Sequence, residues 1–165
     1  MNPTTIGSLF LVTEFEPQVV ETAHTPTAGV RRVVPASDIT SFFDYAYTAV
    51  VQAIEEQGAS IVGPAFARYF SVPAETFDLE AGFPTNTAIA SGAEVIADSL
   101  PAGRAARAVH VGPYDGLAEA WQQLDSWIEE QGLTRTGPMW EVYVTMPTPD
   151  ADPADMRTDL FVSVE

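Results

Sequence analysis

The sequence predicts an α+β fold: two strand-strand-helix-strand-strand halves sharing one curved antiparallel sheet, with both long helices on one face. Three observations lead there. "IEEQGASIVGP" at residues 54–64 returns as "IEEQGLTRTGP" at 128–138. The offset of 74 residues also relates Gly58 to Gly132, Pro64 to Pro138 and Tyr69 to Tyr143. Apolar residues at helical spacing precede both copies, and stretches rich in aromatic and β-branched residues follow them. A period near 74 is too long for a solenoid. It reads instead as a duplicated unit about a pseudo-twofold axis, one domain over 1–165 with repeats near 9–84 and 92–165.

The first half opens with strand candidates at 9–15 and 18–24, or that stretch with 30–34. A helix follows over Ser37–Gln57, with Ser37 or Asp38 as N-cap. Its Phe43, Ala46, Tyr47 and Val50 match Leu117, Ala120, Trp121 and Leu124 in the second copy. Gly58 stands where a left-handed helix end needs glycine, and strands are expected at 65–72 and 76–83. After a linker near 84–92 the pattern repeats: strands at 93–98 and 104–111, a helix over Asp115–Gln131 capped by Asp115, then Gly132. Strands at 139–146 and 158–164 close the chain around the loop "PTPDADPADMR". One half alone buries its helix face poorly. Paired halves bury both helices on one sheet face, and the free, curved face is where a ligand cleft is expected.

Seven arginines, no lysine and 23 acidic residues give a formal net charge of −16. Nucleic acid is bound by basic surfaces, so direct nucleic-acid binding by this chain is not expected. Solubility is the simplest account of the charge. No apolar run approaches the roughly 18–20 residues that span a bilayer, so no membrane partner is expected. The N-terminus lacks a basic region before its short apolar stretch and there is no cysteine, which together suit the cytoplasm. No nucleophile elbow, phosphate loop, H-E-x-x-H or EF-hand loop is present. His110, in "VHVGPY", has no companion ligands, so it reads as structural, and neither metal nor cofactor is expected.

Strand alternation sorts residues 139–146 into two faces. Trp140, Val142, Val144 and Met146 are apolar and are expected against the helices. Met139, Glu141, Tyr143 and Thr145 take the other face, matched in the first copy by Ala65, Ala67, Tyr69 and Ser71. The tyrosines correspond, but Glu141 stands against Ala67. Strands disfavour glutamate, and this one is flanked by Trp140 and Val142. Glu141, Tyr143, Tyr69 and Met139 are therefore the candidate ligand-binding residues, a pseudo-symmetric shell with a single charge. Trp121 and Trp140 are expected in the core, and Trp127 in the core or partly exposed.

The stretch "HVGPY", the "GP-W-E-Y" pattern at 137–143 and the last strand "TDLFVSV" fall in order, and together they resemble the GyrI-like domain. This small-molecule-binding domain also serves as the effector-binding part of multidrug-responsive transcription regulators, and haem-binding SOUL proteins share its duplicated fold. The resemblance implies a pocket between the halves and a glutamate, here Glu141, that receives a lipophilic or cationic small molecule. It also implies two alternatives. One is hydrolysis of strained electrophiles by Glu141 and Tyr143. The other is an acidic module for a protein partner, of gyrase-inhibitor type, in which the charge mimics DNA.

Overall fold

The computed structural model describes residues 16–71, 74–145 and 152–165. The expected strand at 9–15 and Met146 lie outside them. The first half contains β1 (Gln18–Thr22), β2 (Thr25–Pro35), α1 (Ile39–Glu56), β3 (Phe66–Tyr69) and β4 (Thr76–Pro84). The second contains β5 (Ile96–Leu100), β6 (Gly103–Val111), α2 (Leu117–Glu130), β7 (Arg135–Tyr143) and β8 (Arg157–Val164). The two helices end as expected: Gly58 and Gly132 have φ of 71° and 68°, which only glycine adopts without strain. They begin differently. Each is entered through a 3-10 turn, Ala36–Asp38 or Tyr114–Gly116, and no side chain caps either start. The expected caps Ser37, Asp38 and Asp115 are spent in those turns.

Among the described residues, eight strands form one antiparallel sheet in the order β1-β6-β8-β7-β3-β4-β2-β5. The halves exchange their first strands: β1 pairs with β6 of the second half, and β5 with β2 of the first. The halves meet at β3 and β7, where Phe66 faces Val142, Ala67 faces Glu141 and Arg68 faces Trp140. Only at 67 and 141 does a residue meet its own copy 74 positions on. The pseudo-twofold axis therefore passes beside Glu141.

Each helix lays an i, i+4 stripe on its own half. Phe42, Ala46, Val50 and Ile54 of α1 are buried with Val30, Leu79 and Ala81 of the sheet. Ala120, Leu124 and Ile128 of α2 are buried with Ala106, Ala108, Leu160 and Val162. Alanines on the sheet bring both helices close to it. α1 lies over β2 and β4, and α2 over β6, so both are on one sheet face but over its outer parts. The central strands β3 and β7 are left between them.

This spacing corrects two expectations. The face that carries Met139, Glu141 and Tyr143 is the helix side, because Glu141 bonds to Trp121 of α2. The face with Trp140 and Val142 is the opposite one, where Trp140 stacks on Phe161 at 5.1 Å. Val144 is 41% exposed and packs on neither helix. The cavity that holds the candidate residues opens between the helices, not on the helix-free face. Arg68 of β3 reaches Ser99 O of β5, three strands away in the sheet, at 2.8 Å, so the sheet curls over that face and buries Phe66, Glu80 and Trp140 there. Alternation separates two faces but cannot say which one the helices cover.

Leu124 is completely buried at the centre of the α2 stripe. Truncating such a side chain removes its transfer energy and leaves a cavity, so Leu124→Ala should destabilise the protein by about 2–5 kcal/mol in urea unfolding. Truncation of the exposed Gln123, one residue away, should cost about 0.5 kcal/mol or less.

Candidate functional site

The gap between the helices is a cavity of about 910 Å³, floored by β3 and β7. That is the size of pocket that takes drug-sized molecules. One wall is α1, which contributes Phe43, Asp44 and Tyr47, and the other is α2, with Leu117, Trp121 and Asp125. All four sequence candidates, Glu141, Tyr143, Tyr69 and Met139, line it.

Glu141 is 3% exposed at the floor. Three neutral groups donate to its carboxylate. Tyr143 OH gives to Oε1 at 2.6 Å, Tyr69 OH to the same oxygen at 3.2 Å, and the Trp121 indole Nε1 to Oε2 at 2.6 Å. The two tyrosines are twofold mates, one on each central strand, and they converge because the carboxylate lies beside the axis. Each carboxylate oxygen has two lone-pair directions, so Oε2 keeps one free. Among the described residues no arginine pairs with Glu141. Burial pushes its pKa up, and the bonds from Trp121, Tyr143 and Tyr69 together with the nearby His110 pull it back only in part. The Tyr69 and Tyr143 hydroxyls are held well above their ordinary value, by burial first and the Glu141 charge second, so they stay protonated donors.

The walls are aromatic. Phe43 stacks on Tyr47 at 5.7 Å, Tyr143 stands edge-on to Phe43 at 6.2 Å, and Tyr114 edge-on to Tyr143 at 5.8 Å. The Tyr47 hydroxyl donates to Phe66 O at 3.0 Å, which turns its ring toward the cavity. Tyr114 is 39% exposed at the mouth. Asp125 and Arg135 pair with each other there, which leaves Asp44 as the rim charge that no described side chain neutralises.

Trp121, expected in the core, lines the cavity and bonds Glu141; Trp140 is in the core, and Trp127 is half-buried beside α2's cluster. Tyr47 and Tyr114 were not among the candidates. The repeat offers a signal for one of them: Tyr47 is the twofold mate of Trp121. His110 Nε2 donates to Pro113 O at 2.9 Å and the ring fills the space beside Gly116, so it ties the end of β6 to the turn that starts α2. Among the described residues no group of three metal-ligating side chains is present. No helix among them is long and apolar enough to cross a membrane.

A curled antiparallel sheet, two flanking helices and an aromatic cavity between them define a small-molecule-binding α+β domain. The chain belongs to the GyrI-like small molecule binding domain family, which it matches over residues 15–165. Its fold is similar to that of EcmrR in the cryo-EM structure of the EcmrR–DNA complex in EcmrR-RPo, with a TM-score of 0.83 and 21% identity. That match covers 98% of this chain and 62% of the EcmrR chain, so this chain spans under two thirds of that protein. The crystal structure of the EcmrR C-terminal domain matches with a TM-score of 0.78 at 22% identity, covering 92% and 98% of the two chains. SAV2435 bound to tetraphenylphosphonium matches with a TM-score of 0.67 at 14% identity, covering 91% and 94%. Comparison with curated proteins finds no match.

The donors around Glu141 stabilise its charged form, so removing one should raise its pKa further. Trp121→Phe keeps most of the ring and deletes the Nε1 donor. Carboxyl carbon-13 NMR should place the Glu141 titration of this variant above that of wild type. An unchanged midpoint would mean that the indole bond does not form in solution.

Proposed function

We propose that this domain is a receptor for lipophilic organic cations, held in the interhelical cavity with Glu141 as the charged anchor. One observation carries the reading: a carboxylate, almost fully buried at the floor of an apolar cavity, that among the described residues is held only by neutral donors. Taking a carboxylate out of water is costly. A cation that arrives with its own apolar surface restores a partner, and the free lone pair on Oε2 gives it a point of contact. The rings of Phe43, Tyr47 and Tyr143 add cation–π attraction of about 0.5–2 kcal/mol. Tyr69, Tyr143 and Met139 shape the floor around the anchor. Asp44 at the mouth and the overall charge of −16 draw cations in and oppose nucleic acid. The related fold of SAV2435, bound to tetraphenylphosphonium, supports this ligand class.

A second reading is hydrolysis of strained electrophiles. The 2.6 Å bond between Tyr143 and Glu141 favours it, since it sets a proton donor beside a carboxylate of raised basicity. Mass spectrometry of the recovered ligand separates the two. A receptor returns the molecule intact, whereas a hydrolase returns it with one water added, and Glu141→Gln abolishes that gain.

The charge test uses tetraphenylphosphonium and the neutral triphenylphosphine oxide, followed by quenching of tryptophan fluorescence. Glu141→Gln should weaken the cation by about tenfold or more, equal to about 1.4 kcal/mol, and change the neutral compound far less. Equal losses for both would remove Glu141 as the anchor. Protonation removes the anchor's charge, so cation affinity in wild type should fall as pH drops through the raised pKa of Glu141. By the same linkage, cation binding should release protons, which calorimetry in buffers of different ionisation enthalpy measures.

A further inference from the structure

On the helix-free face, the two halves treat one equivalent position differently. Glu80 of β4 lies between Arg31 of β2 and Arg68 of β3. Asp159 of β8 lies between Val109 of β6 and Val142 of β7. Arg68 and Val142 are 74 residues apart, so the two acids are twofold mates. Asp159 is neutralised by Arg107 at 3.1 Å and Arg157 at 2.9 Å. Those arginines stand two residues before Val109 and Asp159. The places two residues before Arg31 and Glu80 hold Gly29 and Asp78. Glu80 therefore has no arginine at either of the places that supply Asp159.

Its carboxyl instead lies over Gly29, where any side chain would collide with Oε2. Glu80 is 0% exposed, and neither oxygen accepts a hydrogen bond from any described residue. Three charged groups face it. Arg31 of β2 is engaged with Asp78 at 3.2 Å. Arg68 of β3 donates from Nη1 to Ser99 O at 2.8 Å and stands 3.6 Å from Asp98, while its buried Nε has no partner among the described residues. Asp98 of β5 is the third. A buried carboxylate to which no described arginine donates a hydrogen bond keeps its proton more readily than its charge. Lying over Gly29, the carboxyl is directed toward β5, where Asp98, paired with Thr27 two residues before Gly29, offers that proton an acceptor. Burial first, and the bond and charge of Asp98 next, push Glu80 up to about 8 against the pull of Arg68 and Arg31.

We propose that Glu80 and Asp98 form a proton-held clasp that fastens β5, an edge strand of the second half, to the first half, and that alkaline solution opens it. Among the described residues β5 has a ladder partner on one side only, β2, so a side-chain tie across that edge matters more than it would for a central strand.

The sign follows from linkage. A carboxyl raised in the folded state contributes stability that is complete below the ordinary carboxylate range and is lost as pH rises through its folded value, about 8. Urea unfolding of wild type and Glu80→Gln from about pH 5 to about pH 9 reads this directly. Glutamine keeps the shape and a donor toward Asp98 but cannot ionise. Wild type should lose stability relative to the variant up to about pH 8, and the difference should then stay constant. Amides of 96–100 should exchange faster in wild type than in the variant above that pH. A difference that stays flat across the whole range overturns the clasp. Carboxyl carbon-13 NMR of wild type needs no variant. A Glu80 titration above neutrality supports the clasp, and one in the ordinary carboxylate range overturns it.

Discussion

A carboxylate beside the pseudo-twofold axis constrains the rest of the molecule. Glu141 lies where water cannot solvate it, so other groups must do so, and each comes from a different element. Tyr143 shares its strand, Tyr69 comes from the facing strand of the other half, and Trp121 descends from α2. The geometry holds only if β3 and β7 keep their register, since a slip of one residue would turn every one of these side chains to the other face. The axis also explains why the charge is single. Residues 67 and 141 are direct neighbours across the central pair. A duplicated glutamate would set two like charges side by side in a buried place, which is destabilising. Alanine at 67 keeps the symmetry of the backbone while breaking that of the charge.

The same duplication builds two separate cores rather than one. Small residues let each helix sit tightly on its own half, and Met139 is the side chain that touches both clusters. A domain optimised for stability alone would fill the space between them, because unfilled volume destabilises in proportion to its size. Here aromatic rings wall that space and leave it open. Their hydroxyls and the indole supply the polar contacts that a wholly aliphatic lining would lack. The curled sheet contributes from below: its helix-free face buries Trp140, Phe66 and the acids Glu80 and Asp159, which makes a stiff floor for the cavity.

The sequence by itself determined the duplication, the helix and strand order, the glycine helix ends and the α+β architecture, because periodicity and turn chemistry act locally and repeat with the chain. It also isolated Glu141, Tyr143, Tyr69 and Met139 as one facial set, since alternation along a strand is fixed by the backbone. What it left open was which face that set occupies. Trp140 and Val142 are as apolar as any helix-packed pair, yet they turn away from the helices, and the more polar set faces them. Tertiary structure alone decided this, by spacing α1 and α2 over the outer strands so that the centre of their own face became the cavity. Trp121 belongs to the site for the same reason. On the helix it looks like one more apolar residue in a buried stripe, and only the position of β7 beneath it turns its N–H toward a carboxylate.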